Sequence, residues 1–204
     1  MRPVGRVAEL GSLGCYATRM DYQRFYKQLF QPIEDRIGHV DEASMMAIIG
    51  FDCGGPVTLC TVGRGREQFV TYVTCELSVR DEQKPAEFGR YEVMMTCDDE
   101  RWAHKILTKL GQMSLEGVFG HGHTIDIESV AGPDCPVQGL VVEEFARVTV
   151  DEKPYGILYF HGVTRSELEF AMESGTDALL ERLRERGIYP RTSVHRKNSV
   201  ETAA

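Results

Sequence analysis

Two apolar runs, LVVEEFARVTV (Leu140–Val150) and YGILYF (Tyr155–Phe160), are separated by only four residues, DEKP. Both are rich in β-branched and aromatic residues and read as strands. Directly after them, Thr164-Arg165-Ser166-Glu167 has the form of a capping box, in which hydroxyl and carboxylate each satisfy a free backbone N–H. The helix it opens closes at Gly175. Thr176 is placed to cap a second helix, which carries Leu179, Leu180 and Leu183 and ends at Gly187. Strand, strand, helix, helix in under fifty residues leaves few folds available.

Upstream the same alternation appears. From Met20, the residues Tyr22, Phe25, Tyr26, Leu29, Phe30, Ile33 and Ile37 recur every three or four positions, an amphipathic helix that Pro32 must kink or interrupt and Gly38 stop. Met45–Phe51, Pro56–Val62, Phe69–Val79 and Arg90–Cys97 read as strands, the first two joined at the CGG turn. DEQKPAEFG is a polar loop. Asp98 or Asp99 caps a helix with the stripe Trp102, Ile106, Leu110 and Met113. Six or seven strands and four helices predict an α/β (α+β) single domain, a mixed β-sheet with helices packed on it. The domain is expected over 20–188, after a loose arm at 1–19 and before a mobile tail at 189–204.

Composition narrows function more than fold. The net charge of −8 and pI near 5.3 argue against a nucleic-acid binder and against adhesion to an anionic membrane. No stretch reaches the roughly eighteen apolar residues of a membrane span, and the N-terminus lacks a signal-peptide core. The six cysteines form no C-x-x-C pair, and Cys60, Cys75 and Cys97 lie inside strand-like runs, where a thiol acts as a small hydrophobe. Reduced cysteines in a cytoplasmic protein are the expectation.

The one stretch that invites chemistry is FGHGHTIDI (Phe119–Ile127). On a strand, His121 and His123 point the same way, as a metal pair does. His161 is the best third ligand, with Asp126 or Asp134 as a carboxylate alternative, and a metal-dependent hydrolase built on His121, His123 and His161 is the enzymatic reading. Against it, no H-E-x-x-H or similar spacing is present. There is no G-x-S-x-G elbow, and TVGRGRE (Thr61–Glu67) lacks the ending and helix of a phosphate loop. The plainer reading is a Gly-His-Gly turn into a strand, with His123 as its anchor and His121 facing solvent. On that reading the protein has no cofactor and is not an enzyme. A third possibility is an oligomerisation domain that pairs its sheet edge with a second copy.

The succession GRYEVMMTC, DERWAHKILTKLGQM, FGHGHTIDI and YGILYFHGVTRSELEFAMESGTDALLERLRE resembles the suppressor of fused family, over about Gly54 to Arg186 and most strongly after Tyr91. The resemblance implies a mixed α/β domain without catalysis. It matches Trp102 to a packing tryptophan at a helix start, Gly122, His123 and Thr124 to a G-H-T element, and Glu167 to the acid of the closing helix. Animal members place an acidic residue immediately before that histidine, where this chain has Gly122. They are two-domain regulators that hold a transcription-factor peptide, whereas bacterial single-domain members often serve as immunity proteins beside polymorphic toxins. The implied partner is a polypeptide, a toxin domain or regulatory protein, met along a groove or strand edge by Gly122, His123, Thr124, Asp126 and Glu167. An acidic surface suits a basic partner.

Overall fold

A computed structural model describes residues 22–50, 56–63 and 68–196. In chain order the elements are α1 (Tyr22–Leu29), α2 (Gln31–Arg36), β1 (Val40–Ile49), β2 (Val57–Val62), β3 (Val70–Cys75), β4 (Arg90–Cys97) and α3 (Glu100–Glu116). There follow β5 (Thr124–Asp126), α4 (Glu128–Ala131), β6 (Val137–Val150), β7 (Lys153–Thr164), α5 (Arg165–Ser174), α6 (Thr176–Glu185) and β8 (Arg191–Thr192). The strands form one mixed sheet in the order β1-β2-β3-β4-β7-β6-β5, with β8 attached to β4. The β4–β7 and β4–β8 pairs are parallel and the rest antiparallel. The expected mixed α/β domain is what forms.

Period-two alternation decides which helix covers which face. Along β7, Leu158 and Phe160 join the cluster that buries Trp102, Ile106 and Leu110 of α3. The intervening Ile157 and Tyr159 pack instead with Phe25, Leu29 and Ile33 of α1 and α2. Val163, further along that second face, packs with Leu168, Leu179 and Leu180 of α5 and α6. The sheet is therefore covered on both sides, which is why β4 and β7 are almost continuously buried.

Local chemistry explains where the elements stop. The N-terminal helix breaks and restarts at Pro32, which sits in the first turn of α2, where a missing N–H costs nothing. The β6–β7 connection is tighter than DEKP suggests, because Asp151 and Glu152 take positive φ (47° and 65°) and close a two-residue hairpin. The CGG turn lies outside the described residues. β3 ends at Cys75, not Val79, because Glu76 turns to φ 75° and the chain folds over a carboxylate. That carboxylate is Glu92, completely buried on β4, which accepts from Thr74 Oγ1 (2.6 Å), Leu77 N (3.3 Å), Ser78 N (2.9 Å) and Ser78 Oγ (2.7 Å). The polar loop is anchored as well. Gln83, 1% exposed, donates to Tyr91 O and accepts from Tyr91 N.

The largest departure from expectation lies after Gly187. Residues 189–196 are not a loose tail; they are folded against the sheet, and 197–204 and the arm at 1–19 lie outside the described residues. β4 pairs with β7 over Arg90–Met94 and with β8 over Thr96–Cys97, so β8 enters where the two long strands part. Thr192 Oγ1 accepts from Gly162 N (2.9 Å), Val194 N donates to Asp98 Oδ1 (3.0 Å), and both side chains are buried. A Cβ on Gly162 would stand 2.4 Å from Thr192 Cγ2, so glycine is what admits the wedge. At its end Arg196 reaches Gly162 O (2.8 Å) and the carboxylate of Glu167. The segment is polar and aperiodic, and nothing in its sequence announces partners thirty residues away.

Two outcomes follow from these contacts. Thr192→Val keeps the shape but strips Gly162 N of its acceptor, and should lower the unfolding free energy by about 1–3 kcal/mol in urea titration. Burial pushes Glu92 up to about 7 from 4.5, its hydrogen bonds only partly offsetting it. A raised carboxylate binds a proton in the folded chain that the unfolded chain has lost. Its stabilising effect is complete below about 4.5 and disappears as pH rises through about 7. Relative to Glu92→Gln, the wild type should therefore lose on the order of 2–3 kcal/mol between pH 5 and 8.

Candidate functional site

The segment after α3 is fixed at its start by Phe119, whose ring meets Phe160 edge-on at 5.4 Å and whose N–H donates to Tyr91 OH (3.1 Å). A turn follows, with His123 N donating to Gly120 O (3.2 Å), and Gly122 at φ 86° supplies the left-handed backbone it needs. Gly122 N donates to Val142 O and Val142 N to His123 O, so the turn is stitched to β6 before β5 begins. On its other side Gly122 O accepts from Thr176 Oγ1 (2.9 Å). Thr176 was expected to cap α6; Gly175 occupies the N-cap instead, and the Thr176 hydroxyl serves the turn.

The two imidazoles play different parts. His121 Nε2 lies 3.0 Å from Asp177 Oδ1, and its Nδ1 accepts from Glu144 N (3.3 Å), which places the proton on Nε2. His123 is exposed; it holds the turn through its backbone, not through its ring. His121 faces solvent as expected, though hydrogen-bonded, whereas the expected His123 side-chain anchor is replaced by backbone bonds. Sequence spacing could not tell which ring would face Asp177, because Asp177 is more than fifty residues away.

Thr124–Asp126 forms β5, a three-residue strand paired with Val141–Gly139 at the end of the sheet. Arg165, first residue of α5, clamps its far end, with NH1 on Asp126 Oδ2 (2.8 Å) and NH2 on Glu128 Oε2 (2.6 Å). Bonding to Arg165 and to Glu128 N holds the Asp126 carboxyl below its usual range. Glu167 stands apart from this surface. It is fully buried, closes the capping box with Thr164 and receives Arg196, so it supports the fold and cannot touch a partner.

His161 does not converge on the other two histidines. It is 3% exposed on the face covered by α5 and α6, stacked on Tyr159 (4.5 Å between centroids) and tilted against Tyr189 (5.0 Å). Its Nε2 lies 2.8 Å from Glu143 Oε2, and Glu143 also accepts from Arg184 (2.7 Å) and Tyr189 OH (3.1 Å). Burial lowers the His161 pKa against the pull of Glu143, while His161, Tyr189 and Arg184 together outweigh burial and keep Glu143 low. Asp134 is exposed in a loop. Among the described residues no group of three or more His, Cys, Asp or Glu side chains is placed to hold a metal ion, which leaves the hydrolase reading without a ligand set. Glu143, Arg184 and Tyr189 were missed by sequence reasoning, since packing of α6 and the residues after it against β6 brings them together.

Comparison with known proteins bears on this arrangement. The family profile described as Suppressor of fused protein (SUFU) matches residues 55–197. The chain belongs to the suppressor of fused family. A chain in the crystal structure of the Sufu–Fu complex superimposes with a TM-score of 0.64 at 14% identity, over 87% of this chain and 91% of that one. Drosophila Suppressor of Fused superimposes with a TM-score of 0.54 at 14% identity, over 71% of this chain and 43% of that one. No curated protein matches the sequence. The family match extends past β8 to residue 197, so the wedge falls within the family's domain. This is a regulatory, protein-binding family, in keeping with a protein-interaction module. No helix among the described residues is long and apolar enough to cross a membrane.

The bonding pattern sets a direct comparison. His121→Ala should lower stability by about 1 kcal/mol, because it strips Glu144 N of its acceptor and removes an exposed hydrogen bond to Asp177. His123→Ala should stay within about 0.5 kcal/mol of wild type. Urea unfolding of both variants measures the difference.

Proposed function

We propose that this protein is a non-enzymatic docking module which holds a partner polypeptide, and that it acts in the cytoplasm as an immunity protein against a toxin domain. The observation that carries the reading is the surface at the β5 edge. Among the described residues, a three-residue strand with one neighbour, the hydrogen-bonded turn at Gly120–His123 and the exposed Asp126 stand side by side against β6. Such an edge offers backbone groups to an extended segment, and the flanking side chains supply selectivity. Gly122, Thr124 and Asp126 shape the contact, and the exposed His123 offers it a polar ring.

Two further observations support this reading. One structural relative was solved as the Sufu–Fu complex, so a protein of this fold has been captured with a partner. The net charge of −8 favours encounter with a basic partner, such as a nuclease that must itself grip phosphate. A regulatory role on the animal pattern would use the same edge with a different partner.

The test is co-expression with the product of the adjacent reading frame, which on this reading carries a toxin domain. Protection of the host and a co-purifying complex are expected, with His123→Glu weakening binding at least tenfold while the melting temperature is unchanged. Neither protection nor a complex would overturn the immunity reading. A complex indifferent to His123→Glu would move the contact elsewhere.

A further inference from the structure

At the opposite end of the sheet from β5, β1 is also an edge strand, and it is bent open. Between the pairs Asp41↔Thr61 and Met46↔Leu59, four residues of β1 face one of β2. The bulge is held by its own bonds: Ala43 N donates to Asp41 Oδ1 (2.9 Å), Ser44 Oγ to Asp41 O (2.6 Å), and Thr61 N to Ser44 Oγ (2.8 Å). Bulges of this kind re-aim side chains. Here Glu42 and Met45 are set over a recess of about 160 Å³ between β1 and α1. Its walls include Tyr26, Phe30 and Val40, its sheet side Cys60 and Cys75, and Glu76 stands with Glu42 as its second carboxylate.

Size and charge restrict what can enter. A cavity of about 150 Å³ takes one benzene ring, so this recess accepts one side chain and not a drug-sized ligand. A second recess of about 330 Å³ continues it past Lys27, Glu34 and His39. Along the two, Glu34, Glu42 and Glu76 face Lys27, with His39 bonded to Glu34 at 2.7 Å. Burial raises the Glu76 carboxyl, and the field of Arg80 opposes that rise. Met45, on the rim, is apolar, adaptable and 51% exposed.

We propose that the recess between α1 and β1 receives one arginine or lysine side chain from an extended polypeptide of the partner. The aliphatic stem lies against Tyr26, Phe30 and Val40, the cationic head between Glu42 and Glu76, and an apolar flanking residue on Met45. This rests on the reading that the protein docks polypeptides, and it adds a second anchoring point remote from the 119–127 turn.

The test uses two capped nine-residue peptides of alternating threonine and valine, one with a central arginine and one with its neutral isostere citrulline. Both are titrated into the ¹⁵N-labelled protein. The arginine peptide should bind at least tenfold more tightly, shift the amides of Gln23, Met45 and Cys60, and weaken with added salt. In Glu42→Gln/Glu76→Gln the preference should fall below twofold. Equal affinity for the two peptides, shifts confined to residues 119–126, or no saturable binding would each overturn the proposal. The comparison in wild-type protein depends on no variant folding. A negative result leaves the toxin co-expression test untouched, so the two readings fail separately.

Discussion

The β6–β7 hairpin is the constraint on which the molecule rests. Its register runs from Val137↔Thr164 to Val150↔Lys153, and each strand supports a further one: β5 on β6 and β4 on β7. Because successive β7 residues point to opposite faces, the same strand buries Leu158 and Phe160 under α3 and Ile157 and Tyr159 under α1 and α2. Two left-handed residues, Asp151 and Glu152, set that register. A slip of one residue would turn every buried side chain to the wrong face, so the hairpin orders both layers at once.

From this frame comes the separation between structural and presented groups. Four ionisable side chains, His121, His161, Glu92 and Glu167, are all engaged with protein donors or acceptors. Those that remain outward, His123 and Asp126, sit on a backbone stitched to β6 and clamped by Arg165. A rigid surface with a few accessible groups suits recognition of a chain, since little ordering cost remains at the moment of contact.

Legibility followed the range of the interaction. The Thr164–Glu167 capping box and the β4 boundaries could be read from the sequence, which also narrowed the α3 cap to Asp98 or Asp99 and the effect of Pro32 to a kink or a break. The Glu92 turn shortened a strand that β propensity alone extended, because the competing carboxylate comes from another strand. The β1 bulge depends on Ser44 reaching Thr61, and the identity of the partnered histidine on Asp177. Glu167 was correctly read as a capping acid and wrongly placed at the binding surface, since its burial is imposed by Arg196 from the far end of the domain.

The wedge formed by β8 carries a consequence for synthesis. The fork between β4 and β7 closes only around residues 191–196, which leave the ribosome after every other described element. Until they emerge, the nascent domain holds an open seam lined by Gly162 and by the buried faces of Tyr159 and His161. Completion of the sheet therefore waits on the last of the described elements to be synthesised.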